Sequence, residues 1–320
     1  MAWPLERGLV GPERPTMRDV EALNDVFSEA FTDRYRRDGM SGVRVPHLHP
    51  LIWRYALEDA GDGAMIWRGA DRRLAAFNIV HHSGTEGWMG PLAVQPDRQS
   101  TGVGKAMLQA GIEWLRERGA TTIGLETMPR TIENIGFYSR LGFLPGHLTV
   151  TVARDLPARP AGRAELLASG SAEREQQLHD ARALTARLAG GTDFTREITL
   201  TRELAVGDTV LVRHAGRLSG FALWHSAPLA AGRTADEVRV LKLVAQDAAA
   251  FESVVSAVEA AAHAAGIHRV TVRCQTAYAE AYARLIARGY RVYWTDLRMT
   301  LHGYGELRPA EGVVLSNWEI

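Results

Sequence analysis

The two halves of this sequence repeat one pattern of glycine, apolar and strand-forming residues at a nearly constant offset. Gly119 and Gly142 are 23 positions apart, as are Gly266 and Gly289, and an offset of 147 aligns the two intervals without a gap. An internal repeat of this length predicts two copies of one fold, each a βαβ-containing unit. A chance alignment of two generic βαβ patterns is the alternative.

The repeat and the composition of the segment between the copies suggest where the domains end. Residues 156–163 are rich in Pro, Ala and Gly, which is typical of a linker. The predicted organisation is a first domain (1–155), a linker (156–171), a second domain (172–304) and a tail (305–320). A helix is predicted from about Ala172 to Leu188, and the tail is apolar enough to pair as a strand, in this chain or in a neighbouring one.

A glycine-containing turn in the first copy is the clearest candidate binding element. The segment from Val94 to Leu108 reads as a strand end, a polar turn and an amphipathic helix whose apolar stripe is Met107, Leu108, Gly111, Ile112 and Leu115. Glycines leave backbone N–H groups accessible where a helix N-terminus adds its positive dipole end. This pattern favours a phosphate or pyrophosphate ligand, while glycines that merely allow close packing are the alternative.

Two familiar phosphate-binding motifs do not fit the turn. The dinucleotide motif G-x-G-x-x-G has a different glycine order, and the P-loop motif would place its first glycine on Gln99 and a hydroxyl residue on Ala106.

A third motif fits. The pattern Val94-x-Pro-x-x-Gln99-x-x-Gly102-x-Gly104 resembles the acyl-CoA-binding motif of the GNAT acetyltransferase superfamily. Downstream, the segment from Asn134 through Tyr138-Ser-Arg-Leu-Gly-Phe143 resembles that family's second motif. The resemblance covers most of residues 8–155 and implies two tandem GNAT-like folds, an α/β class with a mixed, largely antiparallel sheet and helices on both faces.

The resemblance also implies roles for individual residues. Acetyl-CoA would be the co-substrate, with its pantetheine arm paired to the strand as an added strand, and Tyr138 would protonate the departing thiolate. A phenol suits this role because its usual pKa of about 10 keeps it protonated at neutral pH. The implied cofactor-binding residues are Leu92, Ala93, Val94, Gln99, Ser100, Thr101, Gly102, Val103, Gly104, Lys105 and Asn134.

One position departs from the family pattern. Many members carry Asn seven residues before the Tyr, where this sequence has Thr131, a candidate helix N-cap. Asn134, four residues before Tyr138, would share its helix face and take over the polar contact, although a capping or surface role is the alternative.

The second copy lacks these chemical groups. Gly102 and Gly104 correspond to Ala249 and Phe251, and Tyr138 corresponds to Leu285. Asp247 would cap its own helix and place a carboxylate where a pyrophosphate would bind. We therefore expect the second copy to be degenerate and structural, forming a wall of the substrate pocket or a domain-pairing surface.

Two side chains are candidates for the general base that deprotonates an acceptor amine. His82 has no counterpart in the repeat, unlike His81, which matches His225 and is expected to be structural. Glu126 lies at the end of a predicted strand and corresponds to Arg273. Structural roles are the alternative for both, and the family also permits a water relay.

Composition restricts the function classes. Lys+Arg and Asp+Glu both number 37, and no strongly charged block occurs, which disfavours nucleic acid or an anionic membrane as partner. A single cysteine and no apolar run of membrane-spanning length predict a cytoplasmic protein. No compact metal-ligand spacing is present, so no metal is expected.

These observations predict an N-acetyltransferase that moves an acetyl group from acetyl-CoA to a primary amine of a small molecule. A non-catalytic acyl-CoA sensor and an enzyme with another acyl donor or a hydroxyl acceptor are the alternatives. A homodimer remains open, as does the identity of the acceptor.

Overall fold

The computed structural model describes residues 9–157 and 164–319 of the chain, and the first half of these forms alternating strands and helices. Its elements are β1 (Val10–Glu13), α1 (Val20–Arg37), α2 (Pro50–Ala60), β2 (Ala64–Arg68), β3 (Leu74–Ser83), β4 (Glu86–Val94), α3 (Val103–Glu117), β5 (Thr122–Thr127), α4 (Ile132–Arg140) and β6 (Phe143–Asp155). Short 3-10 turns lie at Met17–Asp19, Gly61–Gly63 and Pro96–Arg98.

The second half repeats this order. Its elements are β7 (Glu165–Leu166), α5 (Ser171–Leu188), α6 (Thr195–Glu203), β8 (Gly207–His214), β9 (Arg217–His225), β10 (Val238–Ala245), α7 (Ala248–Ala264), β11 (Arg269–Gln275), α8 (Ala279–Ala287) and β12 (Arg291–Leu301). A further strand, β13 (Val313–Ser316), follows in the predicted tail. The repeat inferred from the sequence is therefore present element by element.

The strands of the described residues form one continuous sheet in which the two halves exchange their last long strands. The order is β1-β2-β3-β4-β5-β12-β6-β11-β10-β9-β8-β7, with β13 paired to β10. Strand β12 of the second half lies between β5 and β6 of the first, and β6 pairs with β11 of the second. Among the described strands, only β4–β5 and β10–β11 pair in parallel, so the predicted mixed, largely antiparallel sheet is confirmed.

This exchange bears on the predicted division at residue 155. The hydrogen bonds of β6 go to β11 and β12, both in the second half, so the sheet does not divide where the sequence repeat does. The predicted linker also contains β7, because Glu165 and Leu166 pair with Leu211 and Val210 as the counterpart of β1. Residues 158–163 of that linker lie outside the described residues.

Local sequence explains the helices that frame the site. The apolar stripe predicted for α3 is buried at every position: Met107, Leu108, Gly111, Ile112 and Leu115. The chain leaves α3 through Gly119, whose φ of +73° lies in the left-handed region that glycine adopts without strain. The helix predicted from about residue 172 to 188 is α5, and its bounds agree to within one residue.

Helices cover both faces of the sheet, as predicted. One apolar core joins α1 and α2 to β2 and β3 and includes Trp53 and Phe77. A second core, on the opposite face, joins α3 and α4 to β4 and β5 and includes Leu108 and Tyr138. In the described residues, no helix combines the length and apolar composition needed to cross a membrane.

Candidate active site

Strands β4 and β5 separate partway along their length and leave a V-shaped opening. Their parallel pairing ends at Met89 and Leu125, whereas Leu92 and Val94 of β4 still pair with β3 on the other side. The edge of residues 92–94 that faces β5 therefore has no strand beside it in the described residues. An extended ligand with amide groups can pair with such an edge as an added strand.

The polar turn after β4 leads into the N-terminus of α3 at one end of this opening. Gly102 is the N-cap residue of α3, with φ of +93° and no side-chain cap. Ser100 also has a positive φ, of +66°. The first N–H groups of an α-helix have no partner within the helix, and the dipole adds partial positive charge there. The turn is thus suited to an anion.

A groove of about 460 Å³ connects the opening to the helix N-terminus. Ten of the residues predicted from the sequence line it: Leu92, Ala93, Val94, Gln99, Ser100, Gly102, Gly104, Lys105, Asn134 and Tyr138. Of the others, the Thr101 hydroxyl donates to the Arg98 carbonyl, 2.7 Å away, and Val103 is buried in the apolar core. Arg34 and Arg37 of α1 and Arg140 of α4 also line the groove. Together with Lys105, these cationic side chains outnumber the two carboxylates of the groove, Asp33 and Glu133.

Tyr138 and Asn134 lie on the groove side of α4, as their spacing predicts. Asn134 also approaches the Thr127 hydroxyl, at 3.5 Å from its amide nitrogen. Tyr138 is 6% exposed, and this burial raises the pKa of its phenol above the usual value. The phenol is therefore protonated at neutral pH, although its pKa lies further above that of a thiol than the sequence suggested.

Thr131 occupies the N-cap position of α4 but does not cap the helix with its side chain. Its hydroxyl donates instead to Asp38 Oδ2, 2.6 Å away, and Asp38 also forms a 2.7 Å ion pair with Arg34. The predicted capping role is therefore replaced by a contact that ties α4 to α1 across the groove.

In the second half, the chain itself occupies the position of the opening. Strand β10 separates from β11 after Val240, and residues 242–245 then pair with β13. Because Leu125 and Val272 are equivalent in the repeat, residues 243–245 correspond to residues 92–94. The tail pairs as a strand within this chain, and it fills the edge that stays open in the first half.

The turn has also been lost in the second half. Eight residues separate β4 from α3, whereas two, Gln246 and Asp247, separate β10 from α7. The Asp247 carboxylate accepts from the Ala250 N–H at 2.8 Å and so caps α7, as predicted. Phe251 and Leu285, the counterparts of Gly104 and Tyr138, are buried in an apolar core.

Removing this cap is expected to weaken the fold moderately. Asp247→Ala leaves the Ala250 N–H without its side-chain acceptor, so we expect a loss of about 1 kcal/mol in the free energy of unfolding. Asp247→Asn, which keeps an acceptor oxygen, should lose less than half of that. Urea denaturation of both variants measures the difference, and equal losses would contradict the capping role.

His82 lies at the wrong end of its strand to act in the groove. It pairs with Gly87, five residues before Leu92, which corresponds to about 16 Å along an extended strand. The ring packs edge-on to Trp114, and burial, then Arg118, lowers its pKa. His81, by contrast, is structural as expected, with its Nδ1 2.5 Å from Asp59.

Glu126 is held in ion pairs and is not available as a base. Its carboxylate contacts Arg273 at 2.5 Å and Arg298 at 2.8 Å, and it accepts from the Thr149 hydroxyl. Burial alone would raise the pKa of Glu126, but the two guanidinium groups lower this pKa to about 2. The carboxylate is therefore a weak proton acceptor near neutral pH, and neither Glu126 nor His82 is placed to act as the base.

Several groups near the groove were missed in the sequence. Arg34 lies in α1 and Asp38 directly follows that helix, and Arg298, the partner of Glu126, comes from β12, more than 150 residues after the motif. The sequence did contain one indication of the Glu126–Arg273 ion pair, because these two residues are equivalent in the repeat and have opposite charges. The strand exchange brings these two equivalent residues into direct contact.

Comparisons with known proteins agree with this geometry. Residues 23–143 match the family model "Acetyltransferase (GNAT) family". A mycothiol acetyltransferase of Clavibacter sepedonicus is 32% identical over 90 residues, which cover 28% of this chain and 30% of that protein. Matches to two further curated acetyltransferases cover 50% of each, so the chain matches about a third to a half of the length of these relatives.

Solved structures of the same fold extend over nearly the whole chain. A GCN5-related N-acetyltransferase from Sphaerobacter thermophilus superimposes with a TM-score of 0.59 at 16% identity, covering 98% of this chain and 100% of that one. A tandem GNAT protein from the clavulanic acid biosynthesis pathway superimposes with a TM-score of 0.57 at 13% identity, covering 91% and 97%. Residues 23–143 therefore match the GNAT acetyltransferase family, and the chain as a whole has the fold of these solved structures.

Proposed function

We propose that the protein transfers an acetyl group from acetyl-CoA to a primary amine of a small molecule, using the site in its first half. One observation carries the proposal: the unpaired edge of residues 92–94, the N-terminus of α3 and the Tyr138 side chain meet in a single groove. The family match supports an acyl-CoA ligand for that groove.

Acetyl-CoA fits the groove in one orientation. The amides of its pantetheine arm would pair with the open edge of residues 92–94. Its pyrophosphate would accept hydrogen bonds from the N–H groups between Ser100 and Lys105, where the helix dipole also favours negative charge. The cationic side chains of Arg37 and Arg140 line the same groove and favour a phosphate-bearing ligand.

The transfer itself needs an oxyanion donor and an acid. When the amine attacks the thioester carbonyl, backbone N–H groups of the separated β4 segment are placed to stabilise the developing negative charge. The carbon–sulfur bond then breaks, and the Tyr138 phenol, kept protonated by its burial, supplies a proton to the sulfur.

Calorimetric titration of acetyl-CoA into the purified protein is the direct test of binding. We expect one site per chain, because β13 and Asp247 fill the equivalent position of the second half. Gly104→Val should abolish binding, since its side chain would project into the groove that Gly104 lines. Ala249→Val, on the exposed first turn of α7, is the matched control and should bind normally.

Turnover is followed as release of CoA thiol in the presence of primary amines. Binding of acetyl-CoA without turnover by any amine or alcohol would favour the sensor function instead. Absence of binding would contradict the transferase proposal, and two sites per chain would show that the second copy still binds the cofactor.

A further inference from the structure

The tail connects the two halves, and its strand β13 contacts the first half at Glu86, the residue with which β4 begins. Within β13, the Ser316 hydroxyl accepts from the buried Lys242 ammonium at 2.8 Å, and it donates to Glu86 of β4 at 2.6 Å. Lys242 also donates to the Asn317 carbonyl, 3.1 Å away. The filled position in the second half therefore anchors the tail and directs the following residues toward the first half.

Trp318 then packs at the point where β4 and β5 separate. Its indole N–H donates to Glu86, and its ring lies where a side chain on Gly124 of β5 would be. Its carbonyl oxygen is 3.4 Å from the position of a Cβ on Gly90, two residues before the open edge of β4. The next residue, Glu319, is thus delivered beside the opening.

Glu319 joins a cluster of charged groups on the α1 face of the sheet. Carboxylate oxygens of Glu126, Asp296 and Glu319 lie within 4.8 Å of one another. Arg273 contacts all three, at 2.5, 3.0 and 2.8 Å respectively. Arg298 compensates Glu126 but is shared with Glu306. The cluster therefore has more carboxylates than guanidinium groups to neutralise them.

Within this cluster, only one carboxylate is accessible to a ligand. The Glu126 and Asp296 side chains are 2% and 5% exposed, whereas the Glu319 side chain is 49% exposed. Asp296 is buried, and its Oδ2 lies 3.0 Å from Arg273, a guanidinium group that it shares with Glu126 and Glu319. An incoming ammonium group would supply further positive charge and N–H donors to the accessible carboxylate of Glu319.

Two aromatic side chains border the same place. Tyr35 of α1 and Trp294 of β12 have ring centroids 6.3 Å apart, and the Trp294 indole N–H donates to Asp296 at 3.1 Å. Burial, followed by the nearby Glu319 and Asp296 carboxylates, raises the pKa of Tyr35 to about 12. Aromatic faces beside carboxylates are a common setting for an ammonium group.

We propose that Glu319, Asp296, Tyr35 and Trp294 form the acceptor site, that it takes a small primary ammonium, and that Glu319 accepts its proton. This inference rests on the proposed function. The second half would then contribute to catalysis without binding cofactor: its degenerate opening holds the strand that carries Glu319 to the active opening of the first half.

Each proton that leaves the acceptor nitrogen has a defined destination. The ammonium R–NH₃⁺ gives one proton to the Glu319 carboxylate, which releases it to solvent. The neutral amine attacks the thioester carbon, a carbon–nitrogen bond forms and the carbon–sulfur bond breaks. The sulfur takes a proton from Tyr138, and the second proton lost by the nitrogen returns to Tyr138 through water. The products are the amide, CoA thiol and one proton.

The surroundings of Glu319 favour this exchange. Packing of the tail against the protein and the like charges of Asp296 and Glu126 raise the pKa of Glu319, while Arg273 opposes them. A carboxylate with a raised pKa is a better proton acceptor than a free one. Tyr35 of α1 also faces Glu319, and the Glu319 carboxylate contributes to the raised pKa of that phenol.

The test uses the full-length protein and two matched variants. Glu319→Gln keeps the shape but removes the proton acceptor. Glu306→Gln removes the partner of another buried arginine outside the proposed site, at 3.0 Å compared with 2.8 Å for Glu319. Acetyl-CoA affinity and melting temperature are measured first. Initial rates then follow with a panel of n-butylamine, 2-phenylethylamine, putrescine and glucosamine between pH 6 and 9.

We expect the Glu319→Gln variant to lose activity toward the amine while it still binds acetyl-CoA normally. Glu319→Gln should lower kcat/KM for the reactive amine by about 30-fold or more at pH 7, with acetyl-CoA affinity unchanged. Its rate should recover as pH rises, because more of the amine is then already neutral. Glu319→Asp should restore part of the activity, and Glu306→Gln should match the wild type.

Three other results would each contradict a different part of the proposal. If Glu319→Gln and Glu306→Gln have the same kcat/KM and pH profile, the role of Glu319 is overturned and the proposed transferase remains. If acetyl-CoA binds but no amine of the panel reacts, the ammonium class is overturned. If acetyl-CoA does not bind the wild type, the proposed function itself fails.

Discussion

Replacing Tyr138 by Phe is expected to lower kcat by about 10²–10⁴-fold while leaving acetyl-CoA affinity within about threefold. The variant removes a single oxygen from a side chain that is 6% exposed, so the groove keeps its shape. The departing thiolate would then lack its proton donor at the moment that the carbon–sulfur bond breaks. Calorimetry gives the affinity, and thiol release gives kcat.

The control for this variant is Tyr282→Phe. Tyr282 packs, partly buried, against the core of the second half and lies away from the groove, so its replacement should leave kcat unchanged. A Tyr138→Phe enzyme with wild-type kcat would mean that water, not the phenol, protonates the sulfur. Loss of affinity together with kcat would instead indicate that the hydroxyl helps to hold the cofactor.

Replacing Arg273 by Leu is expected to lower the free energy of unfolding by about 3–5 kcal/mol at neutral pH. The guanidinium group contacts Glu126, Asp296 and Glu319, two of which are buried. Without it, Arg298 still pairs with Glu126, but the buried Asp296 loses its guanidinium partner and two buried carboxylates share one cation. Urea denaturation at pH 7 measures the loss.

The pH dependence of this variant distinguishes charge from packing. In the wild type, the pKa of Glu126 lies below its ordinary value, so its ion pairs stabilise the fold above about pH 4.5 and this stabilisation is lost as pH falls toward 2. In the variant the Arg273 guanidinium is missing, so the carboxylates repel one another until low pH protonates them. The difference in free energy of unfolding between wild type and variant should therefore narrow below about pH 5.

A control on the same strand tests the importance of burial. Arg269→Leu removes an ion pair with Asp155 whose side chains are 38% and 81% exposed, so we expect a change within about 1 kcal/mol. A constant difference between wild type and Arg273→Leu from pH 7 to pH 4 would show that lost packing, not charge, causes the effect.

The parts of the site that depend on neighbouring residues in sequence were predictable. The strand, turn and helix from Val94 to Glu117 follow from apolar periodicity and glycine positions, and ten of the predicted residues line one groove. The absence of this turn from the second half was also evident, because Asp247 and Phe251 change the residues of the turn itself. Such features depend on interactions within about twenty residues.

The parts that depend on strand pairing were not predictable. The repeat distinguished His82 from His81 but did not show that His82 lies at the end of β3 away from the groove. Glu126 had the expected place at the end of β5, but its state is set by Arg273 and Arg298, which reach it only because β12 lies between β5 and β6. Pairing between strands this distant leaves no periodic signal in a single sequence.

The exchanged strands have a consequence for synthesis of the protein. When β6 leaves the ribosome, residues 156–301 must still be made before β12 is available to pair with β5. At about 5–20 residues per second this takes on the order of 10 s, during which β5 and β6 present unpaired edges. Two nascent chains on one messenger RNA are close together during that interval, and β12 of one can pair with β5 of the other. Entangled dimers should therefore form more readily on crowded polysomes than during refolding at high dilution.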